Sequence, residues 1–290
     1  MTDISHAVAA EVKRARAHSA RLVLCLLASS LCALALCAVS VVGEASAQTP
    51  PPADPTQRPH TDDTWTGDRD LGGQARSTLA FSNKEAEVKA LFTAAGLSFP
   101  PKEMLWRVFK EELVLEVWAS DTGKGPHTLV ATYQICRGSG IPGPKRQEGD
   151  LQVPEGFYTI DYFNNTSAYY LSMRISYPNS SDAILGRRPL GDSIMVHGDC
   201  VSIGCVAMSD ERIQELWVMA RRMNRSDRVV QAHLFPGRDL DKFIAQAAKD
   251  GDATLETFWT NIKEGFVMFE TSHKLPIVGV NRRTGAYTFR

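Results

Sequence analysis

Val196-His197-Gly198-Asp199-Cys200-Val201-Ser202-Ile203-Gly204-Cys205-Val206-Ala207-Met208 places a histidine eight residues before a cysteine that directly follows a glycine. A thiol attacks as its thiolate, and near neutral pH it needs a base or a positive local field to become one. An imidazole close by, with N–H groups laid open by a glycine turn, meets that need in acyl transfer. Cys205 is the expected nucleophile. His197 is the expected base, which takes the thiol proton and later hands it to a leaving amine. Gly204 lets the backbone approach a substrate carbonyl, and the N–H groups of Gly204 and Cys205 are the expected oxyanion donors. Ser202 either orients the imidazole, touches substrate or caps the turn. The Gly198 carbonyl is a natural partner to hold His197 in one tautomer.

Outward from this stretch the periodicities differ on the two sides. Downstream, Ser209 has the chemistry of a helix cap, with Asp210 and Glu211 in the first turn and Ile213, Leu216, Trp217 and Ala220 along one face. The positive end of that helix tends to lower the Cys205 pKa, an effect that fades over the gap of about four residues. A strand ending at Phe235 and helices over 240–248 and 255–269 make the C-terminal third helix-rich. Upstream, apolar residues alternate at Trp106-Val108, Leu113-Leu115-Val117, Leu129 to Ile135, Phe157-Thr159 and Tyr170-Ser172-Arg174, and a strand precedes His197. Short strands with Gly and Pro punctuation predict an α+β fold with a β-rich sandwich or barrel-like core and helical additions. Ser82-x-x-Glu85 reads as a capping box opening a helix through Val88, Leu91, Phe92 and Ala95 that ends at Gly96.

The His-Gly to Ser-x-Gly-Cys spacing resembles the signature of the YkuD-type L,D-transpeptidases. Ser139 to Asp150 with Val153-Pro154-Glu155-Gly156-Phe157-Tyr158, Tyr170 to Asn179, and Phe258-Trp259 with Lys263 to Glu270 bring the resemblance closer to a YafK-like subgroup. The resemblance implies a YkuD-like core and peptidoglycan chemistry. A cysteine attacks the carbonyl of diaminopimelate in a stem peptide, and water or an amine resolves the thioester. For the subgroup it implies hydrolysis of the link between diaminopimelate and an outer-membrane lipoprotein. L,D-transpeptidation is the alternative and an inactive wall-binding module a further one. Two positions depart from the wider family: Ile203 stands where a second histidine is usual, and Ala207 where Arg or Asn is frequent. Arg174, Tyr177, Arg187 and Arg188, with Lys145 and Arg146 in the Gly-Pro-Lys loop, are candidates for the substrate's carboxylates, against the reading of a solvated surface.

The N-terminus carries a positive stretch at Lys13, Arg14, Arg16 and Arg21, an apolar run over 22–42 and the small-x-small triplet Ala45-Ser46-Ala47. These are the three regions of a secretory signal over residues 1–47, with an uncleaved anchor as the alternative. Residues 48–75, with five prolines between Pro50 and Pro59, read as a disordered linker. Residues 76–99 follow as a helical segment and 100–290 as the catalytic domain, expected in the periplasm. A formal net charge of −1 gives no electrostatic reason to expect nucleic acid as a partner. Of six cysteines, Cys136, Cys200 and Cys205 lie beyond the signal. A Cys136–Cys200 disulfide would leave the nucleophile free, and a Cys200–Cys205 pair would consume it. A zinc site from His197, Cys200, Cys205 and His233 uses the right ligand types at an unfamiliar spacing. The thioester mechanism requires no metal or organic cofactor.

Overall fold

A computed structural model of the chain describes residues 57–58 (backbone alone), 72–224 and 228–290. The expected signal and most of the expected linker lie outside these residues. The elements run β1 (Gln57–Arg58), α1 (Gly73–Ala94), β2 (Glu103–Phe109), β3 (Val114–Ser120), β4 (Thr128–Gln134), β5 (Gly156–Asn164), β6 (Ser172–Ile175) and α2 (Ser180–Leu185). After these come β7 (Met195–His197), β8 (Val206–Ala207), α3 (Asp210–Asn224), β9 (Gln231–Phe235), α4 (Leu240–Asp250), α5 (Ala253–Ser272), β10 (Val278–Val280) and β11 (Tyr287–Phe289).

The main sheet has the order β1-β4-β3-β2-β9-β5-β6-β7-β8, and β10 and β11 form a separate hairpin. Most neighbours are antiparallel, but β1 lies parallel to β4, β9 to β2 and β8 to β7. The fold is α+β, and its core is one curled mixed sheet clothed by helices on both faces rather than a sandwich of two sheets. The reason is visible in β2, where the period-two rule sends successive side chains to opposite faces and both faces are apolar. Met104, Trp106 and Val108 enter the core shared with α1 and α3, and Phe109 enters the core shared with α4 and α5. β9 divides the same way, with Ala232 and Leu234 on one side and Phe235 on the other. A strand buried on both faces needs helices above and below it.

Helix α1 begins at Gly73, not at Ser82, and its first residues fall within the end of the expected linker. A cap is worth about 1 kcal/mol, and tertiary contacts along the preceding turns outweigh it. The Arg76 guanidinium donates to the carbonyls of Ser167 and Tyr170, and Trp217 Nε1 of α3 donates to Ser77 Oγ. Ala80, Val88 and Phe92 then share the core with Trp106 and Trp217. The cap expected at Ser209 is present, since its hydroxyl accepts the Arg212 N–H at 3.2 Å.

The motifs flanking the site are built around buried carboxylates. Glu155 is fully buried; its Oε1 accepts from Gly143 N (2.7 Å) and Lys110 Nζ (2.9 Å), and its Oε2 from Trp259 Nε1 (2.7 Å). One side chain therefore ties the Gly-Pro-Lys loop to the Pro-Glu-Gly-Phe-Tyr strand and to α5. Gly156, at φ +135°, is required next to it, because a Cβ there would meet Tyr287 Oη at 2.3 Å. Asn179 caps α2 in a reciprocal box with Asp182, and Tyr158 Oη donates to Asp182 Oδ2 at 2.9 Å.

Candidate active site

His197 ends β7 and Cys205 immediately precedes β8. The two strands pair in parallel, with Val196 opposite Val206 and His197 opposite Ala207. This pairing folds the intervening turn back and brings the base and the thiol to the same sheet edge. The Met195 N–H, on the strand of the base, points at Cys205 Sγ at 3.4 Å. Cys205 is a free, half-buried cysteine on the wall of a cleft of about 570 Å³, whose other walls come from Lys110, Glu111, Leu113 and Ile135 to Pro142.

His197 is buried, and its Nδ1 lies 2.5 Å from the Gly198 carbonyl oxygen. A carbonyl only accepts, so Nδ1 carries the proton and Nε2 of the neutral ring is left to accept one. The Tyr169 ring covers the imidazole at a centroid separation of 4.7 Å. Gly198 is crowded as well as useful: a Cβ would fall 2.5 Å from Asp210 Oδ1 and 3.1 Å from both Ile213 Cγ2 and the Tyr169 carbonyl. Burial pushes the His197 pKa below its ordinary value, against the Gly198 carbonyl and Asp199, which raise it. Burial likewise raises the Cys205 pKa, against the Met195 N–H and the charge of Lys145, which lower it. The α3 dipole expected to lower the thiol pKa starts beyond β8, and desolvation wins. Both shifts favour the uncharged forms, a neutral thiol and a neutral imidazole.

Ser202 takes the turn-capping role. Its hydroxyl donates to the Cys205 carbonyl at 2.7 Å and accepts the N–H groups of Cys205 at 3.1 Å and Gly204 at 3.3 Å. The two N–H groups expected as oxyanion donors are thus held by Ser202 in the ligand-free site. Gly204 has φ +133°, in the region that disfavours a side chain. Ser139 Oγ lies 3.0 Å from Ser202 Oγ and joins the turn to the facing wall of the cleft. Cys136 and Cys200 form a disulfide with a Cα separation of 5.3 Å. It straps that same wall to the turn and leaves Cys205 as the free thiol among the described residues.

The expected carboxylate binders fare differently. Arg174 is held by Asp161 through Nε (2.9 Å) and Nη2 (3.2 Å). Tyr177 points inward, its hydroxyl donating to the Leu190 carbonyl at 3.0 Å. Arg187 and Arg188 are exposed and do not line the cleft. Lys145 is buried and bound to Asp150 at 2.6 Å, and Arg146 pairs with Asp182. The zinc set does not assemble, because Cys200 is in the disulfide and His233 is buried against the rings of Phe157 and Phe235. Sequence reasoning passed over Tyr169, Met195 and Arg137. The first two act through a stacked ring and a backbone N–H, which leave no mark in residue spacing.

A family model described as the L,D-transpeptidase catalytic domain, YkuD, matches residues 108–230. The chain is 34% identical over 177 residues to YafK of Escherichia coli strain K12, a protein to which L,D-transpeptidase activity is ascribed, covering 60% of this chain and 69% of the relative. Among solved structures it is similar to the helical cell shape determining protein Pgp2 from Campylobacter jejuni, with 21% identity, a TM-score of 0.40, 48% of this chain covered and half the length of that one. Bd1075 of Bdellovibrio bacteriovorus is similar at 17% identity and a TM-score of 0.34, over 62% of this chain and 77% of that one. With a free cysteine and a buried histidine brought together by β7 and β8, and a curated relative matched at this level, the chain belongs to the YkuD-type L,D-transpeptidase family, enzymes that act on peptidoglycan.

Proposed function

We propose that the chain is a cysteine hydrolase that releases lipoprotein from peptidoglycan through a Cys205 thioester. The observation that carries the chemistry is the β7–β8 pairing, which sets a buried imidazole of one tautomer on the strand next to a free thiol that lines a cleft. His197 Nε2 takes the thiol proton as Sγ bonds to the diaminopimelate carbonyl carbon. The substrate oxygen displaces the Ser202 hydroxyl from the N–H groups of Cys205 and Gly204, which then hold the oxyanion. As the C–N bond breaks, the imidazolium protonates the leaving amine. Water, deprotonated by His197, attacks the thioester, releasing a carboxylate and the thiol. Such a substrate places the enzyme outside the cytoplasm, in line with the export signal read in residues 1–47.

A second reading is transfer, in which an amine takes the place of water and forms a cross-link or attaches a lipoprotein. The activity ascribed to YafK favours it. Lipoprotein-bearing sacculi and free tetrapeptide muropeptides, each treated with the chain and with Cys205→Ala, separate the readings by mass spectrometry. Released lipoprotein with intact stem peptides, absent in the variant, supports hydrolysis. New cross-links or exchanged terminal residues replace it with transfer. No Cys205-dependent product from either substrate sinks both and leaves a wall-binding module. In an active enzyme His197→Gln lowers kcat/KM by about 10²–10⁴.

A further inference from the structure

The cations around the nucleophile separate by what already binds them. Lys110 lines the cleft, but its ammonium donates to the carbonyls of Gly143 (2.7 Å) and Val153 (3.0 Å) and to Glu155 (2.9 Å), which uses its three hydrogens. Lys145, Arg146 and Arg174 are each held by an aspartate. Arg137 is different. It follows the disulfide cysteine Cys136, and its backbone N–H reaches the Ala207 carbonyl at 3.4 Å, two residues beyond the nucleophile. The residue lines the same cleft as Cys205 and is exposed, and among the described residues no hydrogen bond or ion pair engages its guanidinium. The cleft therefore offers one fork of N–H donors to whatever enters beside the thiol.

We propose that Arg137 is the carboxylate-binding residue of the cleft, and that its ligand is the free carboxylate of the diaminopimelate whose other carboxyl Cys205 attacks. This rests on the proposed reaction for the identity of the ligand. Diaminopimelate has two carboxyl groups; with one engaged as the acyl donor, the second stays anionic unless it is amidated. A guanidinium fork takes such a group through two parallel hydrogen bonds, a geometry an ammonium does not reproduce. Bound this way, the carboxylate fixes which end of the residue faces Sγ, and Arg137 selects the free acid over the amide.

Two measurements on the full chain with its disulfide intact test this. The first uses iodoacetate and iodoacetamide, which place the same leaving group at Cys205 on an anionic or a neutral probe. The ratio of their alkylation rates falls several-fold in Arg137→Gln and is partly kept in Arg137→Lys. An unchanged ratio in Arg137→Gln overturns the proposal. The second compares acyl donors with a free or an amidated diaminopimelate carboxylate. Arg137→Gln raises KM about tenfold to a hundredfold on the free acid, the range of a hydrogen bond to a charged group, and leaves the amide unaffected. An equal loss on both also overturns it. If the unaltered chain turns over neither donor, the proposed reaction fails, and the alkylation ratio alone then decides whether Arg137 binds an anion beside the thiol.

Discussion

At the scale of single residues, the site rests uncharged, and this has a measurable signature. The pair is productive while it holds one proton, since the doubly protonated form has no base and the fully deprotonated form has no proton for the leaving amine. Burial lowers the His197 pKa and raises that of Cys205. The acid limb of kcat/KM is therefore expected below the ordinary imidazole range and the alkaline limb above the ordinary thiol range. Alkylation of Cys205 by iodoacetamide should rise steadily through neutral pH and still be rising at about pH 8.5, the usual thiol value, levelling off only above it. A fast, pH-independent rate near neutrality would show a preformed thiolate and contradict this account. Gly198→Ala should lower kcat/KM by about a hundredfold while the fold persists, because the new methyl pushes the base from its place. His197 and Cys205 were legible in the chain because nucleophile and base lie within one short motif. Arg137 was not, because its nearness to Cys205 depends on backbone contact between residues 70 positions apart in the chain. The sequence also draws the eye to Arg174 and Tyr177, and only the structure shows Asp161 and the Leu190 carbonyl holding them.

At the scale of elements, the motifs that signal the family are largely scaffolding. Glu155 joins a loop, a strand and a helix from a fully buried position, and Glu155→Ala leaves Lys110 buried without its counter-charge. Unfolding free energy should fall by about 3–5 kcal/mol, the usual cost of breaking a buried pair, as read by urea denaturation. A loss below 1 kcal/mol would mean that the three donors find other partners. The Cys136–Cys200 disulfide closes a loop of 64 residues. Chain-entropy reasoning gives about 4 kcal/mol for a closure of that size, so Cys136→Ala/Cys200→Ala should be destabilised by that order, with Cys205 still its one thiol beyond the signal. The strand segments and α3 to α5 could be read from periodicity, and the start of α1 could not. Ser82-x-x-Glu85 has the form of a cap, but the helix continues past it because Arg76 and Ser77 find partners far away in the chain.

For the whole molecule, two apolar cores press on one sheet and hold several ionisable groups out of water. His233 sits inside the sheet with its pKa pushed down to about 3 by burial first and by Arg107 and His127 next. A depressed histidine contributes stability above its unfolded value near 6.5, and loses it as pH falls toward 3. Asp182 works in the opposite direction. Burial raises its pKa to about 6, so its contribution is present in acid and lost as pH rises through that value. His233→Asn should therefore gain on the unaltered chain as pH drops from 6.5 toward 4, measured as the difference in urea midpoint. A difference independent of pH would remove His233 from the acid response. Strand positions were readable but sheet order was not, because the parallel insertion of β9 between β2 and β5 depends on which faces the helices cover.

The two sides of the cleft are built to very different tolerances. On one side His197, Gly198 and α3 are wedged together so tightly that a single methyl at Gly198 does not fit. On the other, Gly140, Ile141 and Pro142 face solvent, tethered by Ser139 to Ser202 and by the Ile141 N–H to Gln152. Chemistry and selectivity are thereby assigned to different stretches of chain, one packed against a helix and one exposed to solvent. Lineages or libraries that vary the exposed positions 137, 141 and 142 can explore new substrates at little risk to the reaction, whereas the same changes around His197 would extinguish it.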